Sequence, residues 1–315
     1  MPTLAQYAKL DIDPLERGVF EEVITQDAMF GMLQFEGFEG NALLYNRELS
    51  LGTADTHAVG DVWSDTEPTY TQKSAGLAIV GVQVPLDRFI MQTRSGSQSQ
   101  RAEAITRMSK LLSRKIGQLI ITGEPETNST EFEGLDSLIR SETRMMAMDD
   151  GEVDGPGTAE TELTLDRLDA MIDQVEKGKP DILVMNKTMR RKLTSLSRAV
   201  GSGVLMDAID MFGHKVQTYD GIPIIINDFI TNSETYNDSG TWGSSTATSI
   251  FALKLGKSNG GYTIIHNGPV VKPDIQYVGI KESKNEDLYR MVVYLQAVTW
   301  SSKMVAALGG IDSAA

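Results

Sequence analysis

Apolar and polar positions along this chain follow two periods, and the two fall in separate blocks. From Asn41 to Leu49, Leu43, Tyr45 and Leu49 share one face while Ala42, Asn46 and Glu48 take the other, the two-residue period of a half-buried strand. Gly76 to Phe89 repeats it with Ala78, Val80, Val82, Val84 and Leu86. Between them run about 25 polar residues, Ser50 to Ser74. Compact domains seldom hold so long a connection unless it has a function of its own. The two strands are expected to pair as one long hairpin with the polar stretch at its tip. Two Phe-Glu-Gly units at Phe35 and Phe38 precede it, and their glycines are expected to mark bends.

A helical period follows. Ser97 with Gln100 makes a capping-box pattern, Gly123 is a stop signal, and Ile105, Met108, Leu112, Ile116 and Leu119 recur at three- and four-residue steps. The spacing predicts a helix over 97–122, roughly 37 Å long, with Glu103, Arg107, Lys110 and Arg114 on the opposite face.

The remaining segments are shorter. Residues 1–30 carry a weak helical pattern at Leu15, Val19, Val23 and Ile24, broken by Pro14 and Gly18, and read as an arm. Beyond the long helix, a Gly, Thr and Glu-rich passage (Gly123–Gly134) leads to an acidic linker, Met148–Gly157. Then come a helix over Leu165–Lys177 stopped by Gly178, a buried strand in "PDILVM", and a helix capped by Asn186 with Met189, Leu193, Leu196 and Val200 at helical spacing. Further strands are expected at Ile222–Ile226, Ile250–Leu255 and Tyr262–His266, with a mobile loop over Thr231–Thr248. A last pair, Ile275–Lys281 and Tyr289–Trp300, turns at "KESKNED", and a small-residue tail closes the chain. Helices and strands come in blocks without regular alternation, which gives an α+β fold.

Charge narrows the function. Lys and Arg number 29 against 43 Asp and Glu, a net charge of -14, which repels a phosphate backbone unless the basic residues are segregated. With no cysteine there is no disulfide, no thiolate catalysis and no Cys-bound zinc. No secretory signal or uninterrupted apolar span appears, so no membrane is implied. His57, His214 and His266 lack partners at ligand spacing, and the acidic run of Asp149, Asp150, Glu152 and Asp154 lacks the glycine and terminal Glu of a calcium loop. "LGKS" at Leu255–Ser258 has Phe251 where a phosphate-binding loop needs glycine, and no nucleophile elbow occurs. No catalytic residue, metal or cofactor is assigned.

What remains is charge on two extended elements. Asp55, Asp61, Asp65 and Glu67 make the loop tip anionic, while Arg107, Lys110 and Arg114 line the helix. The plain reading of those cations is a solvated helix face. The sharper one is a contact between subunits, where opposite signs steer and register assembly.

The order of an arm, a hairpin built on "GNALLYNREL" and "GLAIVGVQVPLDRF", a long helix and then "PDILVMNKTMRRKL" resembles the major capsid protein of tailed bacteriophages with the HK97-like fold. The resemblance implies an N-terminal arm at 1–39, an E-loop hairpin at 40–89, a peripheral domain at 90–157 with its spine helix at 97–122, an axial domain at 158–267, and a peripheral return with C-terminal tail at 268–315. It implies self-assembly through pentamers and hexamers into an icosahedral shell around double-stranded DNA, without sequence-specific binding. Location in the virion, assembly in the host cytoplasm, and portal, scaffold and decoration proteins as partners follow from it. Trp63 and Tyr70 join the seven charged residues above as inter-subunit contacts. Some members weld their shells through an E-loop lysine; none occurs between Ser50 and Gln72, so that chemistry is not expected. Others carry a scaffold-like domain ahead of the arm, whereas about 30 residues precede this hairpin, which implies a separate scaffold or none. Two alternatives stand beside this reading. One is an encapsulin nanocompartment shell; the other is a soluble hydrolase whose long loop is a lid.

Overall fold

The computed structural model describes residues 28–62, 65, 67–89, 97–148, 151, 161–200, 205–209, 215–234, 247–268 and 272–314. The helical pattern of the arm up to residue 27, Trp63, most of the acidic linker, His214 and residues 235–246 of the expected mobile loop lie outside them. The elements run α1 (Ala28–Met32), β1 (Phe35–Phe38), β2 (Ala42–Ser50), β3 (Thr69–Gly76), β4 (Ala78–Asp87), α2 (Ser97–Thr122), α3 (Leu135–Ser141) and β5 (Met145–Ala147). They continue with α4 (Leu165–Asp173), β6 (Ile182–Met185), α5 (Lys187–Val200), β7 (Leu205–Ile209), β8 (Lys215–Tyr219), β9 (Ile222–Ile226) and β10 (Ala247–Leu253). The last four are β11 (Tyr262–Asn267), β12 (Asp274–Ile280), β13 (Glu286–Thr299) and β14 (Val305–Asp312). The fold is α+β, as expected.

The hairpin differs from its sequence reading. β2 pairs antiparallel with β3, from Ala42 opposite Gly76 to Ser50 opposite Thr69, so of the expected partner Gly76–Phe89 it takes Gly76 alone and not residues 78–87. Those residues form β4, which pairs with β13 from Ala78 opposite Leu295 to Asp87 opposite Glu286. The reason is burial. The alternating valines of β4 need an apolar partner and find one in β13, whereas β3, "TYTQKSAG", is mostly polar and gives β2 its backbone ladder, a few polar side-chain contacts and one buried residue, Ala75. The Phe-Glu-Gly reading is also corrected in part. Phe35–Phe38 is a strand parallel to β11 that includes Gly37, and the bend falls at Gly40, with φ of 136°.

Two sheets organise the body. In the five-stranded sheet β13 is the hub: β4 lies along one edge, and β12 and β11 share the other, with β1 outside β11. The seven-stranded sheet has the order β5-β14-β10-β6-β9-β8-β7. One core joins both sheets to α2 and α3, through Met108, Leu112, Ile120 and Leu135 against Met291, Val293, Phe251 and Leu253. The second lies on the other face of the larger sheet, where Leu168 and Met171 of α4 and Met189 and Leu193 of α5 meet Leu183, Met185, Ala252 and Leu308. Covered on both faces, β10 ("ATSIFAL") is buried at every position.

The small-residue tail is a third correction. Residues 305–311 are buried throughout as β14, between β5 and β10. Its Ala and Gly residues fit there because two packed layers and two neighbouring strands leave little room for side chains.

α2 has the expected limits, and its stripe from Ile105 to Leu119 is buried while Glu103, Arg107, Lys110 and Arg114 are exposed. It stops because Gly123 and Gly134 meet backbone to backbone, the Gly134 N–H donating to the Gly123 carbonyl at 2.8 Å. A Cβ on Gly123 would lie 2.2 Å from the Phe132 carbonyl oxygen, so no larger residue fits this crossing. α4 ends at Asp173, short of the expected Lys177, because Lys177 and Gly178 turn the chain at φ of 61° and 91°. Asn186 caps α5 as expected, accepting the Met189 N–H at 2.8 Å, and its amide donates to Asn232 and Thr248 at 2.7 and 2.8 Å.

Candidate assembly surface

Among the described residues, the ribbon of β2 and β3 packs against the body at its root. Leu43 and Tyr45, on the inward face, pack with Ala75, Leu77, Ile265, Val298 and Trp300, and the Tyr45 and Trp300 rings lie 5.2 Å apart. Arg47 is next on that face. Its guanidinium contacts the Glu142 carboxylate at 2.5 Å, donates to the Trp300 carbonyl at 3.0 Å and also to the Thr299 carbonyl. Lys73 reaches the other Glu142 oxygen at 3.5 Å, and the Tyr45 hydroxyl donates to the Thr299 carbonyl at 3.2 Å. Burial raises the Tyr45 hydroxyl above its ordinary range, with Arg47 acting against it, so the group stays a donor. A polar cleft of about 620 Å³ runs beneath the root, lined by Lys73, Glu142, Trp300 and Lys303 among others.

This clamp was not among the residues assigned from sequence. One signal could have found it: Arg47 falls on the same alternate face as Leu43 and Tyr45. A guanidinium on a buried strand face demands a carboxylate and carbonyl partners. Which carboxylate it would be is set by tertiary structure, since Glu142 lies 95 residues away.

Past the clamp the ribbon leaves the body. Leu49, Leu51, Val59, Val62 and Tyr70 are each at least 65% exposed, an apolar surface on a segment with no core of its own. Asp55, Asp65 and Glu67 are exposed beside them. Asp61 closes the tip turn, its carboxylate accepting the Ala58 N–H at 2.7 Å. On α2, Arg107 pairs with Glu103 one turn away at 2.5 Å, both side chains largely in solvent, and Lys110 and Arg114 are exposed. Among the described residues, no ion pair joins Asp61, Asp65 or Glu67 to Arg107 or Arg114 within one subunit.

One carboxyl group away from the hairpin is strongly perturbed. Glu234 sits where the chain enters 235–246; burial first, and then the Asp136 charge, push its pKa up to about 8, while a 2.5 Å hydrogen bond from Ser249 and the Arg140 charge act the other way. The folded state thus holds a proton that the unfolded chain releases above its ordinary value of 4.5. The sign follows: this group's stabilising share is complete below about pH 4.5 and is lost as pH rises towards 8. Glu234→Gln, which keeps the acceptor for Ser249 and cannot ionise, is expected to be more stable than the wild type at pH 8 by on the order of 2 kcal/mol. The two should converge at pH 4, as urea midpoints across that range would show.

No protein-family model matches the chain, and no curated protein matches it by sequence. Solved structures do match. The encapsulin of the holo-SrpI complex from Synechococcus elongatus superposes with a TM-score of 0.67 at 17% identity, covering 93% of this chain and 90% of that one. The capsid of cyanophage A-1(L) gives 0.64 at 16% identity, with 90% and 92% covered. The capsid of a native GTA particle gives 0.57 at 12% identity, with 91% and 89% covered. Nearly the whole chain superposes on each, so a hairpin rooted on a five-stranded sheet, a long helix behind it and a larger second sheet are arranged as in shell-forming proteins: the chain has the HK97-like fold.

Proposed function

We infer that this chain is the repeating subunit of a closed icosahedral shell, the capsid of a tailed phage enclosing double-stranded DNA. The observation that supports it most is the hairpin: five large apolar side chains and four carboxylates project on a ribbon anchored, among the described residues, at its root. A ribbon of that kind finds its core on a neighbouring copy, and repeated heterologous contacts of that sort close rings. The reading carries with it pentamers and hexamers, a place in the virion after assembly in the host cytoplasm, portal, scaffold and decoration partners, and no catalytic role. Electron microscopy of the purified protein tests it. Closed particles or hexamer sheets support it, whereas a monomer with a hydrolytic activity would return the hairpin to the role of a lid.

A second reading has a specific support of its own, the 0.67 TM-score of the Synechococcus encapsulin. Particle contents separate the two: nuclease-protected DNA goes with the capsid, a co-purifying cargo protein with the nanocompartment.

Within the shell, Asp55, Asp61, Asp65 and Glu67, flanked by Trp63 and Tyr70, meet Arg107, Lys110 and Arg114 of an adjacent copy in this reading. Arg107→Glu, Lys110→Glu and Arg114→Glu together are expected to leave the circular dichroism of the subunit unchanged and to lower particle yield by about tenfold, each lost pair contributing a fraction of a kcal/mol repeated over many interfaces. Wild-type yield from the triple variant would refute the pairing.

A further inference from the structure

Two helices on one side of the larger sheet carry opposite charge. α5 has five cations, Lys187, Arg190, Arg191, Lys192 and Arg198, and no carboxylate, in a chain whose net charge is -14. The exposed ones, Lys187, Arg191 and Arg198, lie within about 40° of one another on the helix at about 100° per residue. α4 exposes Asp166, Asp169 and Asp173 within about 60°. Both helices bury their other face in the same core, through Leu168 and Met171 in α4 and Met189 and Leu193 in α5, so both stripes project from the same side of the sheet.

The stripes also match in length. Asp166 and Asp173, like Arg191 and Arg198, are seven positions apart, or about 10.5 Å along the axis. Within one subunit they do not neutralise each other. Lys187 pairs with Asp228 at 2.7 Å, the Lys192 ammonium donates to the Asp312 carbonyl, and Asp169 accepts the Tyr219 hydroxyl at 2.5 Å. Among the described residues no ion pair joins α4 to α5.

We propose that the acidic stripe of α4 in one copy docks on the basic stripe of α5 in the next, Asp166 and Asp173 facing Arg191 and Arg198, as a heterologous contact that closes the capsomer ring. The proposal rests on the shell reading and assigns one of its interfaces. A second copy fits better than nucleic acid, because a phosphate backbone laid on α5 would also meet the carboxylates of α4 on the same side. The large exposed apolar side chains lie elsewhere among the described residues, on the hairpin, β4, α2 and β12 for the most part. This contact is therefore polar, sets register more than strength, and weakens with salt.

Charge exchange tests it. Three variants are compared with the wild type by sedimentation and electron microscopy at about 0.15 M salt: Asp166→Lys with Asp173→Lys, Arg191→Glu with Arg198→Glu, and all four substitutions together. Each pair alone should lower closed-particle yield by about tenfold, with the circular dichroism of the subunit preserved, and the fourfold exchange should restore it. Wild-type particles together with normal yield from either pair, or a folded fourfold variant that fails to recover, would overturn the proposal and leave the shell reading intact. Normal particles from Arg191→Glu with Arg198→Glu that have lost nuclease-protected nucleic acid would also overturn it, and would assign α5 to phosphate contact. Absence of particles from the wild type would overturn the shell reading and this proposal with it.

Discussion

Replacing residues 51–68 with a two-residue Asn-Gly turn is expected to leave a folded subunit that forms no closed particles. Ser50 and Thr69 are already paired across the ribbon, so a tight turn closes it without strain. The root is untouched: Tyr45, Arg47 and Trp300 keep their contacts with one another and with Glu142. The deletion removes Leu51, Val59 and Val62, all exposed, so little folding energy is lost. On the shell reading, every inter-subunit contact proposed for the tip is lost with them. Unfolding midpoints within a few degrees of wild type, with particle yield below the detection of electron microscopy, are the expected pair of results. Normal shells would show that the tip contributes nothing to closure.

The second large effect lies at the opposite end of the chain. Truncation after Met304 removes β14 and strips β5 and β10 of the strand between them. Seven consecutive buried residues go with it, and the cores on both faces of the sheet lose their Ala, Val, Leu and Ile contacts. No soluble folded subunit is expected. A milder variant grades the effect: Leu308→Ala, fully buried in the wild type, should lose about 3 kcal/mol, measured as a lower urea midpoint at unchanged slope. A shift under about 1 kcal/mol would mean that the strand is dispensable.

These two regions also mark where sequence was and was not enough. α2, β6 with the Asn186 cap, β9 and the β12–β13 turn were legible because each combines a clear apolar period with a start or stop residue. β14 was not, since Ala and Gly carry no period and their burial comes from neighbours distant in sequence. β3 failed for the opposite reason: it is a strand with almost nothing to bury, held by its ladder to β2. α3 and β5, at seven and three residues, are too short for a period to register. In the candidate surface, the missing core of the tip could be read as a long polar gap. The Arg47–Glu142 clamp could not be located, because which carboxylate answers a buried arginine is decided only when the chain has folded.

The position of β13 has a consequence for when the subunit becomes competent. β4, β11 and β12 all pair with it, and β14 follows it, so neither sheet is complete until the segment from Glu286 to Asp312 has been made. On the shell reading proposed above, a ribosome-bound chain would carry its hairpin and α2 before the sheets that pack beneath them are complete. On that reading synthesis order would work as a timer: lattice growth would wait for finished chains, and slow, long-range strand pairing would separate translation from assembly.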